Sequence, residues 1–432
     1  MLPNIAPESL QVLLAFVRDW CAQHVKADDL AAAEQVVQAV TRCIAEALAQ
    51  VAVDALDGRQ RTGCSIPCPC GRSAEYKGMR ERFVVTLAGI VRVERAYYYC
   101  KHCKTGVFPW DRRQGLDQRQ WSPNLKALIC ELAASLPYAN AVSLLERTCG
   151  IRVEESSAEQ VVEQVGGRLR EAEAQAQESI LDGSLTPLVP SAPPRLYLAA
   201  DGTKAHINGE WHEVKVGVIY EGKPGDDGID RCGDKSYLAA QMPAEAFGEK
   251  LYAHAAQEGL QQARETVFMG DGADWIWNTA DTYFPGATQI VDYYHACQHI
   301  SELANLLFGE GSPQAKHWSK GHCRRLKAKG PDGFLRALRR LKPANEQQRE
   351  AIRLQTGYFS RHRHRMMYHQ FRARGLMIGS GPVEAGCKSV VGTRMKQSGM
   401  RWKSTGADAI LALRCRVLNQ DYQAINQAAK AA

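Results

Sequence analysis

The chain has 432 residues, of which 45% are hydrophobic and 23% charged, with a formal net charge of +7. This length predicts two to four domains, and the composition excludes a disordered or a fibrous protein. From Glu310 to the C terminus, 25 Lys and Arg stand against 7 Asp and Glu, so this segment holds +18 and the preceding residues −11. Such a basic segment favours an anionic polymer as the partner.

Membrane spans and export signals are not expected in this sequence. No uninterrupted apolar run approaches the roughly 18 residues of a membrane span. The stretch MLPNIAPESLQ lacks the basic start and the apolar core of a secretory signal. The 14 cysteines are mostly scattered singly through apolar segments, which is typical of buried thiols in a reducing compartment. The expected location is therefore the cytoplasm.

Residues 1–60 are expected to form a helical arm. Within DLAAAEQVVQAVTRCIAEALAQVAVDAL, apolar residues recur at three- and four-residue spacing, which is the period of an amphipathic helix. No residue type in this region indicates chemistry. The arm would therefore pack against other elements or mediate dimerisation.

Residues 61–112 carry two cysteine clusters joined by a predicted β-hairpin, which is the arrangement of a zinc ribbon. The segment RFVVTLAGIVRVERAYYY alternates around a glycine turn and is rich in β-branched residues. Four thiolates at its two ends would close a tetrahedral structural zinc site: Cys68, Cys70, Cys100 and Cys103. Because the Cys68-x-Cys70 spacing is one residue short, Cys64 or His102 is an alternative ligand. Two other interpretations of the cysteines stay open: a site that has lost its metal, and a site of redox chemistry.

Residues 113–184 are expected to be helical, with a helix-turn-helix shape. PYANAVSLLERTCGIRVEESSAEQVVEQVGGRL predicts a helix, a turn at Gly150 and a second helix that begins at Ser156 or Ser157. The second helix is acidic, so simple helical packing competes with DNA contact as its role. The proline-rich stretch Leu185–Pro194 cannot continue a helix and predicts a linker.

From residue 195 the pattern changes to strands and predicts an α/β domain. RLYLAADGTKAHI and WHEVKVGVIYEG predict a hairpin, whereas ETVFMGDGADWIW and ATQIVDYYHACQHI each predict a strand followed by a helix. This is the order of elements in a ribonuclease H-like core, with residues 195–295 as its first part. Asp201 lies on the first strand and Asp271 at the end of a later one. Asp274 competes with Asp271, but it would lie on the following helix.

A third carboxylate, Glu384, is expected to form a metal site with these two aspartates. The preceding Gly379-Ser380-Gly381-Pro382 is a helix-start signal, which puts Glu384 in the first turn of a helix. Converging carboxylates repel one another unless a cation lies between them, and Mg²⁺ binds a few carboxylates while keeping positions for phosphate oxygens. Two Mg²⁺ or Mn²⁺ ions would support phosphodiester chemistry. In the competing interpretation, Glu384 only complements the helix dipole.

Five segments carry a family resemblance in chain order: YLAADGTKA, GDGADWIW, DYYHA, GSGPVEAGCKSVVGTRMKQSGMRW and AILALRCRVLN. They are similar to segments of bacterial insertion-sequence transposases of the DDE type, in the family called ISKra-four. The resemblance implies a ribonuclease H-like catalytic core whose metal ligands are Asp201, Asp271 and Glu384. It also implies an all-helical insertion, in agreement with the helical pattern of residues 296–375, and a C-terminal part of the core in residues 376–432.

The segment Asp292-Tyr293-Tyr294-His295 resembles the acid-x-x-His signature of the wider Mutator-like group of transposases. This resemblance implies that Asp292 and His295 position the flanking base or the scissile phosphate. The alternative is that they are a helix-capping residue and a surface residue.

DNA contact is expected from basic residues near Glu384 and in the insertion. Residues 310–375 hold 17 Lys and Arg against 4 Asp and Glu, and YFSRHRHRMMYHQFRARG interleaves basic with aromatic residues. A solvated charged face is the alternative. Trp275 and Trp277 are expected in the core and Trp402 on DNA. The predicted DNA contacts are Lys388, Arg394, Lys396, Arg401, Trp402, Lys403, Arg361, Arg363 and Arg365.

Together with the resemblance, which implies a bacterial protein at the nucleoid, these patterns predict a multidomain α+β enzyme that acts on double-stranded DNA. The predicted activity is that of a transposase, which cuts the ends of its element and joins them to target DNA as a homodimer or higher oligomer. Two alternatives stay open. One is a metal-dependent nuclease without joining, and the other is a zinc-ribbon DNA-binding regulator with an inactive core.

Overall fold

The computed structural model describes residues 7–24, 29–56, 58–116 and 120–432. Within these ranges the chain is a multidomain α+β protein with two β-sheets. It divides into two compact units, the first comprising Met1–Cys130, Tyr138–Val161 and Asn426–Ala432, and the second Glu131–Pro137 and Val162–Ile425. Parts of the predicted helical arm (1–6, 25–28 and 57) and of the region after the ribbon (117–119) lie outside the described residues.

The N-terminal part of the first unit is helical, as its apolar periodicity predicts. Helix α1 spans Pro7–His24 and helix α2 spans Leu30–Asp54. The Asp29 carboxylate caps α2, because it accepts a hydrogen bond of 3.1 Å from the backbone N–H of Ala32.

Helix α2 is the one described helix that is long and apolar enough to cross a membrane, judged by length and composition alone. It is not an uninterrupted apolar run, since Gln, Thr, Arg and Glu residues divide it. The Gln50 side chain donates to and accepts from the backbone of Arg92, at 2.9 and 2.8 Å, which ties α2 to the first sheet.

The first sheet consists of four antiparallel strands in chain order: β1 Ser65–Pro67, β2 Ser73–Thr86, β3 Gly89–Cys100 and β4 Thr105–Val107. The predicted hairpin is confirmed, because β2 and β3 pair along their length. After the sheet, α3 spans Pro109–Arg113. Its buried Asp111 accepts hydrogen bonds from Arg82 at 2.6 Å and from Arg95 at 3.0 Å, so these two arginines stabilise the ribbon.

Three helices follow the ribbon: α4 Pro123–Ser135, α5 Tyr138–Cys149 and α6 Glu155–Leu181. The predicted turn at Gly150 is confirmed, since its φ of 70° lies in the left-handed region that glycine tolerates. Helix α6 begins at Glu155, slightly earlier than predicted, because the carbonyl of Glu154 already accepts from the N–H of Ala158 at 3.0 Å. The stretch Leu185–Pro194 contains no helix or strand, as expected for a linker.

The second sheet contains β5 Arg195–Ile207, β6 Glu210–Pro224, β7 Asp230–Ala240, β8 Glu265–Gly270 and β9 Thr288–Val291. Helix α7 (Ala244–Gln257) connects β7 to β8, and α8 (Asp274–Tyr283) connects β8 to β9. The strand order is β7-β6-β5-β8-β9. Strands β5 to β7 form an antiparallel meander, whereas β8 runs parallel to β5, and β9 parallel to β8.

The remainder of the second unit is helical, as predicted for residues 296–375. It contains α9 Tyr293–Phe308, α10 Pro313–Lys329, α11 Asp332–Leu338, α12 Glu346–Arg361, a 3₁₀ turn Arg363–Met366 and α13 Tyr368–Ala373. Next come α14 Gly381–Gly386, a π-helical segment Cys387–Gly392, α15 Thr393–Met395 and α16 Ser404–Leu418. Helix α17, Tyr422–Ala431, ends the chain.

The helical part of the second unit is expected to lose stability in acid. His362 is 1% exposed, and burial, followed by the charges of Arg365 and Arg361, lowers its pKa to about 4. Asp274 acts in the opposite direction, and His364 adds to the lowering. The Nδ1 atom of His362 lies 3.3 Å from the Arg365 guanidinium, which donates to it only while the imidazole is neutral.

Because the unfolded chain binds a proton on this residue near pH 6.5 and the folded chain near pH 4, stability falls as the pH drops through that window. Urea unfolding at pH 7, 5.5 and 4.5 measures the loss. The variant His362→Gln offers Arg365 an acceptor that does not titrate, so its stability should depend less on pH. An unchanged pH dependence in this variant contradicts the prediction.

Candidate metal and nucleic-acid site

Asp201 and Asp271 lie side by side at two adjacent parallel strands of the second sheet. Asp201 is in the middle of β5, and Asp271 directly follows β8. The parallel register pairs Ala199 with Met269, and two more residues along each strand lead to the two aspartates. Each carboxylate accepts a local backbone N–H, from Gly202 at 2.7 Å and from Ala273 at 2.8 Å. The strand pairing therefore holds the two acids as neighbours.

A cavity of about 660 Å³ opens at this end of the sheet. Its lining includes acids that belong to or adjoin four elements, β5, β8, α9 and α14, together with a histidine of α9 and a serine from the loop before α14: Asp201, Asp271, Asp292, His295, Ser380 and Glu384. All three predicted metal ligands thus share one cavity. The carboxylate oxygens of these three residues do not all lie within 4.8 Å of one another. In the described chain, the four ribbon cysteines are the one group of three or more His, Cys, Asp or Glu residues whose ligand atoms come that close.

The electrostatics of the two central aspartates favour a cation. Burial, and further the negative charge of Asp271, raise the pKa of Asp201 above its usual value. Within the residues that the structure describes, no Lys, Arg or His nitrogen lies within 4.0 Å of either carboxylate. In the described part of the chain, no ion pair therefore neutralises these two neighbouring acids.

Glu384 lies in the first turn of α14, as predicted. Ser380 precedes this helix and Pro382 occupies its start, but the Ser380 side chain does not cap it. The helix lies close to the sheet at Gly386, where a Cβ atom would come within 2.9 Å of Val218 on β6. The Glu384 side chain is 68% exposed and pairs with Lys388 at 2.8 Å. It would have to leave this ion pair in order to bind a metal.

Asp292 connects the elements around the cavity. It caps α9, because its Oδ1 atom accepts from the backbone N–H of His295 at 2.7 Å, so the capping alternative is confirmed. Its Oδ2 atom accepts from the backbone N–H of Ser380 and, at 2.8 Å, from the Ser380 hydroxyl. Its own N–H donates to the carbonyl of Gly270 at 2.8 Å. Asp292 therefore links the end of β8 to the loop that leads to Glu384.

His295 lines the cavity and contacts His299 edge to face, with ring centroids 4.9 Å apart and an interplanar angle of 79°. Asp274, the competitor of Asp271, is the first residue of α8 and pairs with Arg361 at 2.7 Å. It is exposed and does not line the cavity, so the geometry favours Asp271.

Two residues beside the aspartates were missed by the sequence analysis. The buried thiol of Cys387 donates to the Oδ2 atom of Asp201 at 3.6 Å. The ring of Tyr358, on α12, packs against the backbone of Gly272, the residue after Asp271. Cys387 follows Glu384 by three residues on one continuous helical stretch. This helical spacing was the signal that could have placed Cys387 near the site. No local signal points to Tyr358, which is 86 residues from Gly272.

Three of the nine predicted DNA contacts need correction, because the structure buries their side chains. Arg394 is 1% exposed and donates to the carbonyl of Ala133 at 2.7 Å. Trp402 is 7% exposed and its indole donates to the carbonyl of Met395 at 3.2 Å. Arg365 is also 7% exposed and stacks on Trp277. These side chains stabilise the fold and cannot reach a nucleic acid.

The other predicted DNA contacts are exposed, but several are already paired. Lys388 pairs with Glu384, Arg361 with Asp274, and Arg363 with Asp332. The remaining exposed residues of this set are Lys396, Arg401 and Lys403. Both tryptophans of α8 were predicted to lie in the core. Trp277 is buried as predicted, whereas Trp275 is partly exposed.

The ribbon contains a four-cysteine cluster that could hold a structural zinc ion. The ligand atoms of Cys68, Cys70, Cys100 and Cys103 all lie within 4.8 Å of one another, with two of the S–S distances at 3.5 and 3.7 Å. Tetrahedral Zn–S bonds of about 2.3 Å place sulfur atoms about 3.8 Å apart, so the spacing fits zinc.

The remaining candidate ligands of the ribbon lie outside this cluster. Cys64 is exposed and its sulfur accepts from Arg61 at 2.6 Å, and His102 is not part of the group either. The predicted ligand set is therefore the one that the geometry favours, in spite of the short Cys68-x-Cys70 spacing.

Comparison with known families gives one match. The model of the family described as "Uncharacterised protein family (UPF0236)" matches residues 28–427, so the chain belongs to that family. No curated protein matches the chain. Membership in this family assigns no activity to the chain.

Proposed function

We propose that this member of UPF0236 is a DNA transposase with a ribonuclease H-like core, which cuts the ends of its element and joins them to target DNA. The observation that carries the proposal is the pair Asp201 and Asp271, which lie side by side without a basic partner in a cavity that also contains Glu384. Supporting evidence comes from the fold, because a meander followed by two parallel strands with helical connections is the order of a ribonuclease H-like sheet.

The donor set in the cavity suits Mg²⁺ or Mn²⁺. Both are hard cations that prefer carboxylate oxygens and leave positions for phosphate. Asp201, Asp271 and Glu384 would hold them, and when bound the ions stabilise the attacking and leaving oxygens of a phosphodiester displacement. Asp292 holds the loop before Glu384 through its hydrogen bonds with Ser380. No serine or tyrosine nucleophile is required.

Helix α10 is the best candidate for the contact with the DNA backbone. Lys316, Lys320 and Arg324 recur every four residues, so they share one helical face, and all three are exposed. Within the described chain, none has an acidic partner within 4.0 Å. By contrast, Arg349 and Arg353 on α12 are neutralised by Glu346 and Glu350, at 2.7 and 2.6 Å. Unpaired exposed charges are the ones available to phosphates.

Replacing Lys316, Lys320 and Arg324 together by Ala is expected to weaken DNA binding about tenfold or more at 0.1 M salt. Each lost phosphate contact should also reduce the slope of log K against log salt by about 1. Fluorescence anisotropy with labelled duplex DNA measures both quantities. The double variant Arg349→Ala/Arg353→Ala is the control, because it removes exposed arginines that already have partners. Equal losses in both variants contradict this assignment.

The test of the proposed function is cleavage of duplex DNA that carries the terminal repeats of the element. The wild type should nick these ends with Mg²⁺ and then join a 3′-hydroxyl end to a target plasmid, and Asp271→Asn and Glu384→Gln should do neither. Nicking without joining favours the nuclease alternative. Tight binding without any nicking favours the zinc-ribbon regulator and refutes the enzyme.

A further inference from the structure

The hydroxyl group of Tyr358 is buried next to Gly272, the residue after Asp271, without a hydrogen-bond partner. Tyr358 lies on α12, and its ring stacks on His299 with centroids 4.1 Å apart and an interplanar angle of 23°. On its other side it packs on the backbone beside Asp271. A Cβ atom at Gly272 would lie 2.2 Å from a ring carbon of Tyr358 and 2.9 Å from its hydroxyl oxygen. Gly272 is therefore the residue that allows the hydroxyl to approach Asp271.

Packing alone does not explain this hydroxyl. A buried polar group without a partner destabilises a protein by about 1–3 kcal/mol, and phenylalanine would fill the same space without that loss. Burial first, and then the charges of Asp271 and Asp292, raise the pKa of Tyr358, so the hydroxyl keeps its proton and remains a donor. The donor thus lies in the field of two carboxylates and bonds to neither.

We propose that the Tyr358 hydroxyl hydrogen-bonds to the Asp271 carboxylate when that carboxylate binds a divalent cation, which makes Tyr358 a positioning residue for the metal site. In the structure the Oδ1 atom of Asp271 accepts from Ala273, and no bond to Oδ2 is recorded within the described residues. The Oδ2 atom is therefore the carboxylate oxygen that would accept from the hydroxyl. Carboxylates that bind metals are generally held in this way by hydrogen-bond donors behind them. This inference rests on the proposed function.

The experiment measures Mn²⁺ binding to the zinc-loaded protein by isothermal titration calorimetry, together with thermal unfolding in the absence of Mn²⁺. For Tyr358→Phe we expect the midpoint of metal-free unfolding to be unchanged or higher. We expect Mn²⁺ affinity to fall about 10- to 100-fold, the usual effect of losing a group that supports a metal ligand.

Tyr368→Phe is the matched control. Tyr368 is fully buried and its hydroxyl donates to the carbonyl of Val291 at 3.0 Å, so this variant should unfold more easily and bind Mn²⁺ normally. Two outcomes overturn the inference: unchanged Mn²⁺ affinity in Tyr358→Phe, or a loss of metal-free stability as large as that of Tyr368→Phe. Asp271→Asn separates the two hypotheses. If the wild type binds Mn²⁺ no better than Asp271→Asn, the metal site itself is refuted, and the proposed function with it.

Discussion

Replacement of Asp201 by Asn is expected to abolish Mg²⁺-dependent DNA cleavage and to leave the metal-free protein at least as stable as the wild type. Loss of a carboxylate ligand removes several kcal/mol of charge stabilisation at the reacting phosphate, which corresponds to a rate loss on the order of 10³-fold or more. The free energy of unfolding should stay the same or rise, in contrast to the activity. The reason is that the charge of Asp201 is half-buried and lies next to that of Asp271. Neutralising it relieves desolvation and repulsion together.

Asp230→Asn is the control for this prediction. Asp230 also lines the cavity and is buried, but it pairs with Arg195 at 2.6 Å and accepts from the hydroxyl of Tyr197 at 2.7 Å. Its neutralisation should lower the free energy of unfolding by about 1–3 kcal/mol, because Arg195 and Tyr197 then lose a charged hydrogen-bond acceptor. Urea unfolding and single-turnover cleavage measure both variants. A destabilised Asp201→Asn with residual cleavage would mean that this carboxylate is structural.

Replacement of Cys100 by Ser is expected to unfold the ribbon. Structural zinc in zinc-finger peptides binds with an apparent free energy of about 10–16 kcal/mol, and in small domains that energy is folding energy. The four strands of the first sheet have only a small apolar cluster near the cysteines, built around Ala74, Tyr98 and Val107. Loss of one thiolate should therefore lower the zinc content to below one ion per chain and increase hydrogen exchange in β2 and β3.

Cys64→Ser tests whether any nearby thiol is required. Cys64 precedes Cys68 by four residues but lies outside the cluster, so this variant should keep its zinc and its protected strands. Zinc content by atomic absorption and hydrogen exchange by mass spectrometry give the comparison. A zinc-free wild type, or equal effects of the two variants, would contradict a structural zinc site at these four cysteines.

The local elements of this protein could be predicted because each depends on neighbours in the sequence. The β2–β3 hairpin follows from alternating residues around a glycine turn, and the turn at Gly150 follows from the one residue that tolerates its φ. The strand-end position of Asp271 and the helical start before Glu384 follow from short apolar runs and from Pro382. Period and turn chemistry are short-range properties, so one sequence is enough to determine them.

The spacing of the cysteines was less decisive. Cys68-x-Cys70 left Cys64 and His102 open as ligands, and only the distances between sulfur atoms selected four of the candidates. The two cysteine clusters are brought together by the pairing of β2 with β3. Because this pairing extends over many residues, the spacing of cysteines along the chain does not give the distances between their sulfur atoms.

The exposure of charged and aromatic side chains was decided by the tertiary structure alone. Arg394 and Trp402 lie in a basic segment that indicates a DNA surface. Yet the Arg394 side chain bonds to Ala133, 261 residues away, and the backbone N–H of Trp402 donates to the carbonyl of His206 at 3.1 Å. Tyr358 reaches Gly272 in the same way, across 86 residues. The sequence by itself determined the elements and the chemical types of the site residues. Which side chains face the cavity and which are buried depended on long-range packing, because the chain brings together segments whose proximity no local pattern records.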